Sequence, residues 1–167
     1  IGYKPWTLAD SQEFVKHWTA RCRGWIAIFN SHDMVVPLQD FFATERWTTF
    51  APVSCVQMHR NVRMAGDGPA NWADHLVVAR PKSLKWRALP GAYVGNAFDG
   101  GENTFDRSRR AVAGAKPLWL MRNIVRDYTN RGDRVVECFA GGGATGIACS
   151  DLVRGCMMAE IDEDTFE

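Results

Sequence analysis

Apolar positions along this chain switch between a helical and an extended period. From Phe14 through Val15 and Trp18 to about Cys22 the spacing is helical. Thr7-Leu8-Ala9-Asp10 ahead of it has the form of a capping box with Asp in the usual Glu place. Gly24 ends that period. Trp25-Ile26-Ala27-Ile28-Phe29 follows as an unbroken apolar run of strand length, the pattern of a strand covered on both faces in a parallel sheet. Asp33 stands where it caps a second helix reaching about Thr44, with Val36, Phe41 and Phe42 apolar and Pro37 near the first turn. Residues 47–57 and 74–80 read as strands, and the turn signal Gly66-Asp67-Gly68-Pro69 between them predicts an antiparallel pair.

Residues 81–115 show no clear period and read as an inserted loop region. A helix is predicted from Pro117, a favourable first helical residue, with Leu118, Met121, Ile124, Val125 and Tyr128 on its apolar side. Asn130-Arg131-Gly132-Asp133 ends it. A short strand over residues 135–138 comes next, then Gly141-Gly142-Gly143, a helix over residues 144–153 with Gly155 as its cap, and a last strand that runs into Glu160. Strands and helices alternate at both ends, which predicts an α/β fold built on a mainly parallel sheet with an antiparallel edge pair.

The chemistry concentrates at the strand–glycine–helix junction. Glycine has no Cβ, so the turn can bring its backbone close to a ligand at the start of a helix. An acid at the tip of the following strand can accept hydrogen bonds from both hydroxyls of a ribose. Gly141-Gly142-Gly143-Ala144-Thr145-Gly146 also fits G-x-G-x-x-G, with Glu160 nineteen residues after Gly141, so a nicotinamide-dependent oxidoreductase is a rival reading. Two features weigh against it. Glu137-Cys138-Phe139-Ala140 separates the strand from the glycines, and only seven residues follow Glu160. The plain structural alternative is a glycine turn that serves only close packing.

The 167 residues suffice for one domain with a core, and 46% apolar with 23% charged residues is ordinary for a soluble protein. No apolar run approaches a membrane span. Net charge is +1, but residues 80–116 carry eight basic and three acidic side chains, while residues 117–167 carry five basic and nine acidic. A basic middle segment suits a phosphate backbone, though from charge alone a solvated loop is the better explanation. The five cysteines have no C-x-x-C spacing, so they read as reduced, mostly buried thiols of a cytoplasmic protein, with neither a disulfide frame nor a metal site. His32-Asp33 reads as a helix cap, and the tryptophans as core.

Three motifs together carry a resemblance. Lys116-Pro117-Leu118-Trp119-Leu120, Glu137-Cys138-Phe139-Ala140-Gly141-Gly142-Gly143-Ala144-Thr145-Gly146 and Glu160-Ile161-Asp162 resemble, in order and spacing, the K-P-x-x-L, D-P-F-A-G-S-G-T-T-G and E-x-D motifs of the S-adenosylmethionine-dependent DNA amino-methyltransferases. Those enzymes methylate N6 of adenine or N4 of cytosine. With the cofactor motifs last, the order resembles the permuted beta group. The first eighty residues, taken with Leu89-Pro90-Gly91-Ala92-Tyr93, look most like members carried by phages and prophages, a setting shared with restriction–modification.

The resemblance implies a Rossmann-like methyltransferase sheet flanked by helices, with residues 1–80 as its later strands, 81–115 as target-recognition loops and 116–167 as the cofactor part. It implies S-adenosylmethionine as cofactor, held by Lys116, Pro117, Phe139, Ala140, Gly141, Gly143, Thr145, Glu160 and Ile161. It implies double-stranded DNA as partner, with Arg107, Arg109 and Arg110 as candidate contacts, and leaves a homodimer open. The family's catalytic tetrapeptide, [D/N/S]-P-P-[Y/F/W], is missing, since no two of the seven prolines are adjacent. In the permuted order it lies upstream, so the expectation is a segment before Ile1 that carries it with two strands. A catalytically inactive DNA- or cofactor-binding relative is the other alternative.

Overall fold

Thr7 starts the first helix as its sequence predicts. Its hydroxyl accepts from the Asp10 amide at 3.2 Å, and its own amide donates to Asp10 Oδ2 at 2.8 Å, closing the capping box of α1 (Leu8–Thr19). The structure, a computed structural model, describes residues 6–59, 68–85, 87–96 and 116–161. They divide between two compact units, residues 1–55 with 73–92, and residues 56–72 with 93–167.

In the first unit, β1 (Ile26–Asn30) and β2 (Trp47–Thr49) both run antiparallel to β4 (Ala73–Pro81), with Ile28 opposite Val77, Asn30 opposite His75 and Thr49 opposite Ala79. Helix α2 (Val35–Thr44) joins β1 to β2. Pairing places Ile26 and Ile28 on the same sheet face as Val77 and Ala79. That face packs with Val15 of α1 and with Val35, Leu38 and Phe42 of α2 to form the core.

Several sequence expectations shift here. The run at residues 25–29 was predicted for a parallel, doubly covered setting, but β1's recorded neighbour β4 is antiparallel and most of β1 is only half-buried. Asp33 does not cap α2. It lies in a 3-10 turn, His32–Met34, while Met34 occupies the cap position with no side-chain bond. Asp33 instead takes a hydrogen bond from the Ser31 side chain, which holds its carboxyl below the usual range. The strand predicted over 47–57 is interrupted at residues 50–52 and resumes as β3 (Val53–Met58), because Pro52 has no N–H to donate. Among the described tryptophans only Trp47 is buried, and Trp6 and Trp72 are exposed.

The second unit holds β5 (Ala92–Asn96), α3 (Leu118–Tyr128), β6 (Arg134–Glu137), α4 (Ala144–Asp151) and β7 (Gly155–Met158). Strand β5 lies within the segment that showed no period, and its only buried side chain is Tyr93. It is tied to α3 by Tyr93 Oη, which donates to Asp127 Oδ2 at 2.9 Å, and by Trp119 Nε1, which donates to the Asn96 carbonyl at 3.0 Å. Pro117 is the cap of α3, one position before the predicted one. Strands β6 and β7 pair in parallel, Arg134 opposite Gly155 through Glu137 opposite Met158. Gly155 is therefore the first residue of β7, not a helix cap. The left-handed position after α4 falls to Val153 (φ 60°), and Arg154 N closes the helix end on the Cys149 carbonyl at 2.8 Å. No helix among the described residues is long and apolar enough to cross a membrane.

A Cβ built on Gly95 would stand 2.6 Å from the Trp119 ring, while one on Gly91 meets nothing within 4 Å. The indole is held by its own hydrogen bond, so it cannot move aside freely. Gly95→Ala should cost about 1–3 kcal/mol by overpacking, read as a fall in the urea unfolding midpoint. Gly91→Ala should stay within about 0.5 kcal/mol of the parent.

Candidate cofactor site

The parallel pairing of β6 and β7 brings two carboxylates to one end of the second unit. Glu137 is the last residue of β6, and Glu160 lies two residues beyond β7. Between them runs the turn formed by residues 138–143. Gly141 and Gly143 have φ of 49° and 74°, left-handed values that suit glycine. Gly143 is the cap residue of α4, and Ile147 N donates to its carbonyl at 3.1 Å.

Four amides of this turn donate within the protein. Phe139 N reaches Glu137 Oε1 at 3.0 Å, Gly141 N reaches Glu160 Oε2 at 2.6 Å, Ala140 N reaches the Ala159 carbonyl at 3.0 Å, and Gly143 N reaches the Ala140 carbonyl at 2.8 Å. Glu137 Oε2 also accepts from Thr145 Oγ1 at 2.9 Å, in the first turn of α4. Glu160 Oε1 accepts from Ile161 N at 2.9 Å. Each carboxylate thus spans two chain segments.

Of the residues predicted for the site, Phe139, Ala140, Gly141, Gly143, Thr145, Glu160 and Ile161 come together here. Phe139 and Ile161, 58% and 84% exposed, flank the turn as solvent-exposed apolar side chains, while Ala140 and Thr145 are buried. Beside Gly141 and Gly143 a Cβ would meet nothing within 4 Å, so the turn has open space on that side. Lys116 and Pro117 stand at the start of α3, which packs along α4 with Arg122 Nη2 2.7 Å from Asp151 Oδ2. Asp162, Arg107, Arg109 and Arg110 lie outside the described residues. Glu137 was absent from the predicted contacts. An acid at a strand end carries no sequence signature that marks its bond to a Thr eight residues on.

These features suit a nucleoside with an apolar extension. A carboxylate near a glycine turn suits ribose hydroxyls, and exposed Phe and Ile side chains suit an adenine face and a thioether chain. The model of a DNA methylase family, N6_N4_Mtase, matches residues 87–167. That match spans 81 of the 167 residues, just under half of the chain. The fold agrees. The crystal structure of the M1.HpyAVI–SAM complex superposes with a TM-score of 0.76 over 93% of this chain and 78% of that one, at 21% identity. The PvuII DNA methyltransferase (cytosine-N4-specific) gives 0.66 over 97% and 74%, at 12% identity. The Thermus thermophilus protein TTHA0409, complexed with S-adenosyl-L-methionine, gives 0.62 over 98% and 80%, at 15% identity. No curated protein matches the chain's sequence. The methylase fold and the resemblance read from the motifs therefore agree.

Two outcomes test the packing of the turn and of α4. Thr145→Val keeps the shape but leaves Glu137 one donor short. It should cost about 1–3 kcal/mol in denaturant unfolding, and Thr145→Ser should restore most of it. Cys149 on α4 is fully buried, and burial, with the Cys156 thiol next in effect, pushes its pKa up to about 12. The folded state then keeps a proton that the unfolded state loses above about pH 8.5. The contribution of this thiol to stability should be constant below that pH and be lost between about 9 and 12. Cys149→Ala should flatten that alkaline decline in pH-dependent thermal unfolding.

Proposed function

We propose that this chain builds the S-adenosylmethionine site of a DNA amino-methyltransferase, with N6 of adenine as the first target to assay and N4 of cytosine as the second. The observation that carries the reading is the internal hydrogen bonding of the turn. A dinucleotide diphosphate binds by taking amides of a glycine turn. Here the amides of Phe139, Ala140, Gly141 and Gly143 donate to carboxylates and carbonyls of the protein itself. Two carboxylates at the turn would moreover repel a diphosphate. A nucleoside cofactor without phosphate needs none of those donors, and a sulfonium cation is compatible with both acids.

In this reading Glu160 takes the ribose hydroxyls, and Ile161 lies against the adenine. Phe139, Ala140, Gly141 and Gly143 border the methionine part, and Thr145 holds Glu137 in place. Lys116 and Pro117 approach from the start of α3. The cofactor, when bound, supplies a methyl group on a sulfonium sulfur to a nucleophilic amino nitrogen. The target base has to leave the duplex to reach it, at a cost of a few kcal/mol. Arg107, Arg109 and Arg110 are proposed for DNA contact because arginine serves both phosphate and guanine.

Calorimetric titration with S-adenosylmethionine and with NAD separates this reading from the oxidoreductase. The expected result is binding of the first and none of the second. Glu160→Gln should weaken S-adenosylmethionine at least tenfold, about 1.4 kcal/mol. Binding of NAD alone would overturn the reading. Methyl transfer to DNA by the protein expressed from its complete gene distinguishes an active enzyme from an inactive relative.

A further inference from the structure

Helix α4 and strand β7 carry a second feature, independent of the cofactor reading. The two elements approach closely because Gly146 has no side chain. A Cβ there would stand 2.6 Å from the Met158 sulfur. Met158 therefore points at α4. Cys156, two residues earlier on β7, points to the same face. Cys149 lies three residues after Gly146, about one helical turn along. The Cys149 and Cys156 thiols interact across this helix–strand contact. Cys149 is fully buried, and Cys156 is exposed.

We propose that Cys149 and Cys156 form a reversible disulfide site, in which a hydroperoxide oxidises the exposed Cys156 and the buried Cys149 resolves it. The geometry supplies each role. Cys156 is open to solvent and is the thiol a peroxide meets first; partial burial raises its pKa, and its contact with the Cys149 thiol offsets only part of that rise. In the first step the Cys156 thiolate attacks a peroxide oxygen. An S–O bond forms, the O–O bond breaks, and the leaving oxygen takes a proton to become water (or the alcohol, for an alkyl hydroperoxide). In the second step the Cys149 sulfur, as it gives up its proton, attacks the Cys156 sulfenic acid. The S–S bond forms, the S–O bond breaks, and a second water leaves. The two sulfurs lose two electrons and the peroxide gains them. A thiol reductant reverses the change. The bond would tether the helix that follows the glycine turn to the strand that leads into Glu160.

Arg154 lies between the two cysteines, so trypsin separates them into different peptides, 135–154 and the one that begins at Gly155. The full chain is treated with hydrogen peroxide, its remaining thiols are alkylated, and it is digested without reductant for mass spectrometry. The expected product is the two peptides joined, with two hydrogens lost and fragment ions placing the link at Cys149. Dithiothreitol should separate them. Cys138 shares the first peptide, so Cys138→Ser should keep the link while Cys149→Ser and Cys156→Ser abolish it. Fragment ions from the parent chain give the assignment even if a variant folds poorly. The proposal is overturned if Cys156 advances to sulfinic or sulfonic acid with Cys149 still alkylated, or if the link maps to Cys138.

Discussion

The candidate site depends on one constraint: a glycine turn carries more amides than its own backbone can satisfy. A turn of this kind leaves donors pointing away from any helix or strand ladder, and a buried donor without a partner costs about 1–3 kcal/mol. In this chain two carboxylates take up that role. Glu137 reaches forward to Phe139 N and Thr145 Oγ1, and Glu160 reaches back to Gly141 N. Both acids are delivered by the same parallel pair. The register that sets Glu137 opposite Met158 leaves Glu160 two residues beyond, level with the turn. A one-residue slip would turn the side chains of one strand to the opposite face and break both bonds at once.

The same constraint bears on how α4 is built. It is a short helix that opens with a left-handed glycine and closes with a left-handed valine. Propensity does little for such a helix. Its position comes instead from Thr145 bonded to Glu137, from Gly146 set close under Met158, and from the ion pair of Asp151 with Arg122. That ion pair is exposed and contributes little on its own. The close approach at Gly146 matters more, because it sets the spacing between helix and strand.

How far the sequence could be read follows the range of the forces involved. Local signals read correctly. The capping box at Thr7 and Asp10, the apolar side of α3 and the strand–glycine–helix order each depend on residues within one or two turns of one another. The failures are long-range. Nothing near Tyr93 marks β5 as a strand, since its anchors lie far along the chain, Asp127 34 residues from Tyr93 and Trp119 23 residues from Asn96. Gly155 looked like a cap by residue type. Parallel pairing with Arg134 claimed it for β7, leaving Val153 to take the strained conformation. Asp33 looked like a cap by position, but Ser31 captured its carboxylate first. The candidate site residues could be picked out as a group because the motif packs them into one short stretch and one later acid. The structural part of Glu137 could not be, because a hydrogen bond to Thr145 has no signature that separates it from an ordinary acid at a strand end.

The internal use of amides also bears on ligand choice. A pocket that leaves its turn donors free is prepared for phosphate, and one that satisfies them itself is not. The two arrangements can share one glycine pattern, so G-x-G-x-x-G alone cannot separate them. What separates them is an acid at the strand end that competes with the ligand for the turn. In this chain Glu137 is that competitor, and the four residues from Glu137 to Ala140 give its carboxylate room to fold back on Phe139 N. The feature that departed from the dinucleotide pattern in the sequence is therefore the one that, in the structure, occupies turn amides a phosphate would otherwise take.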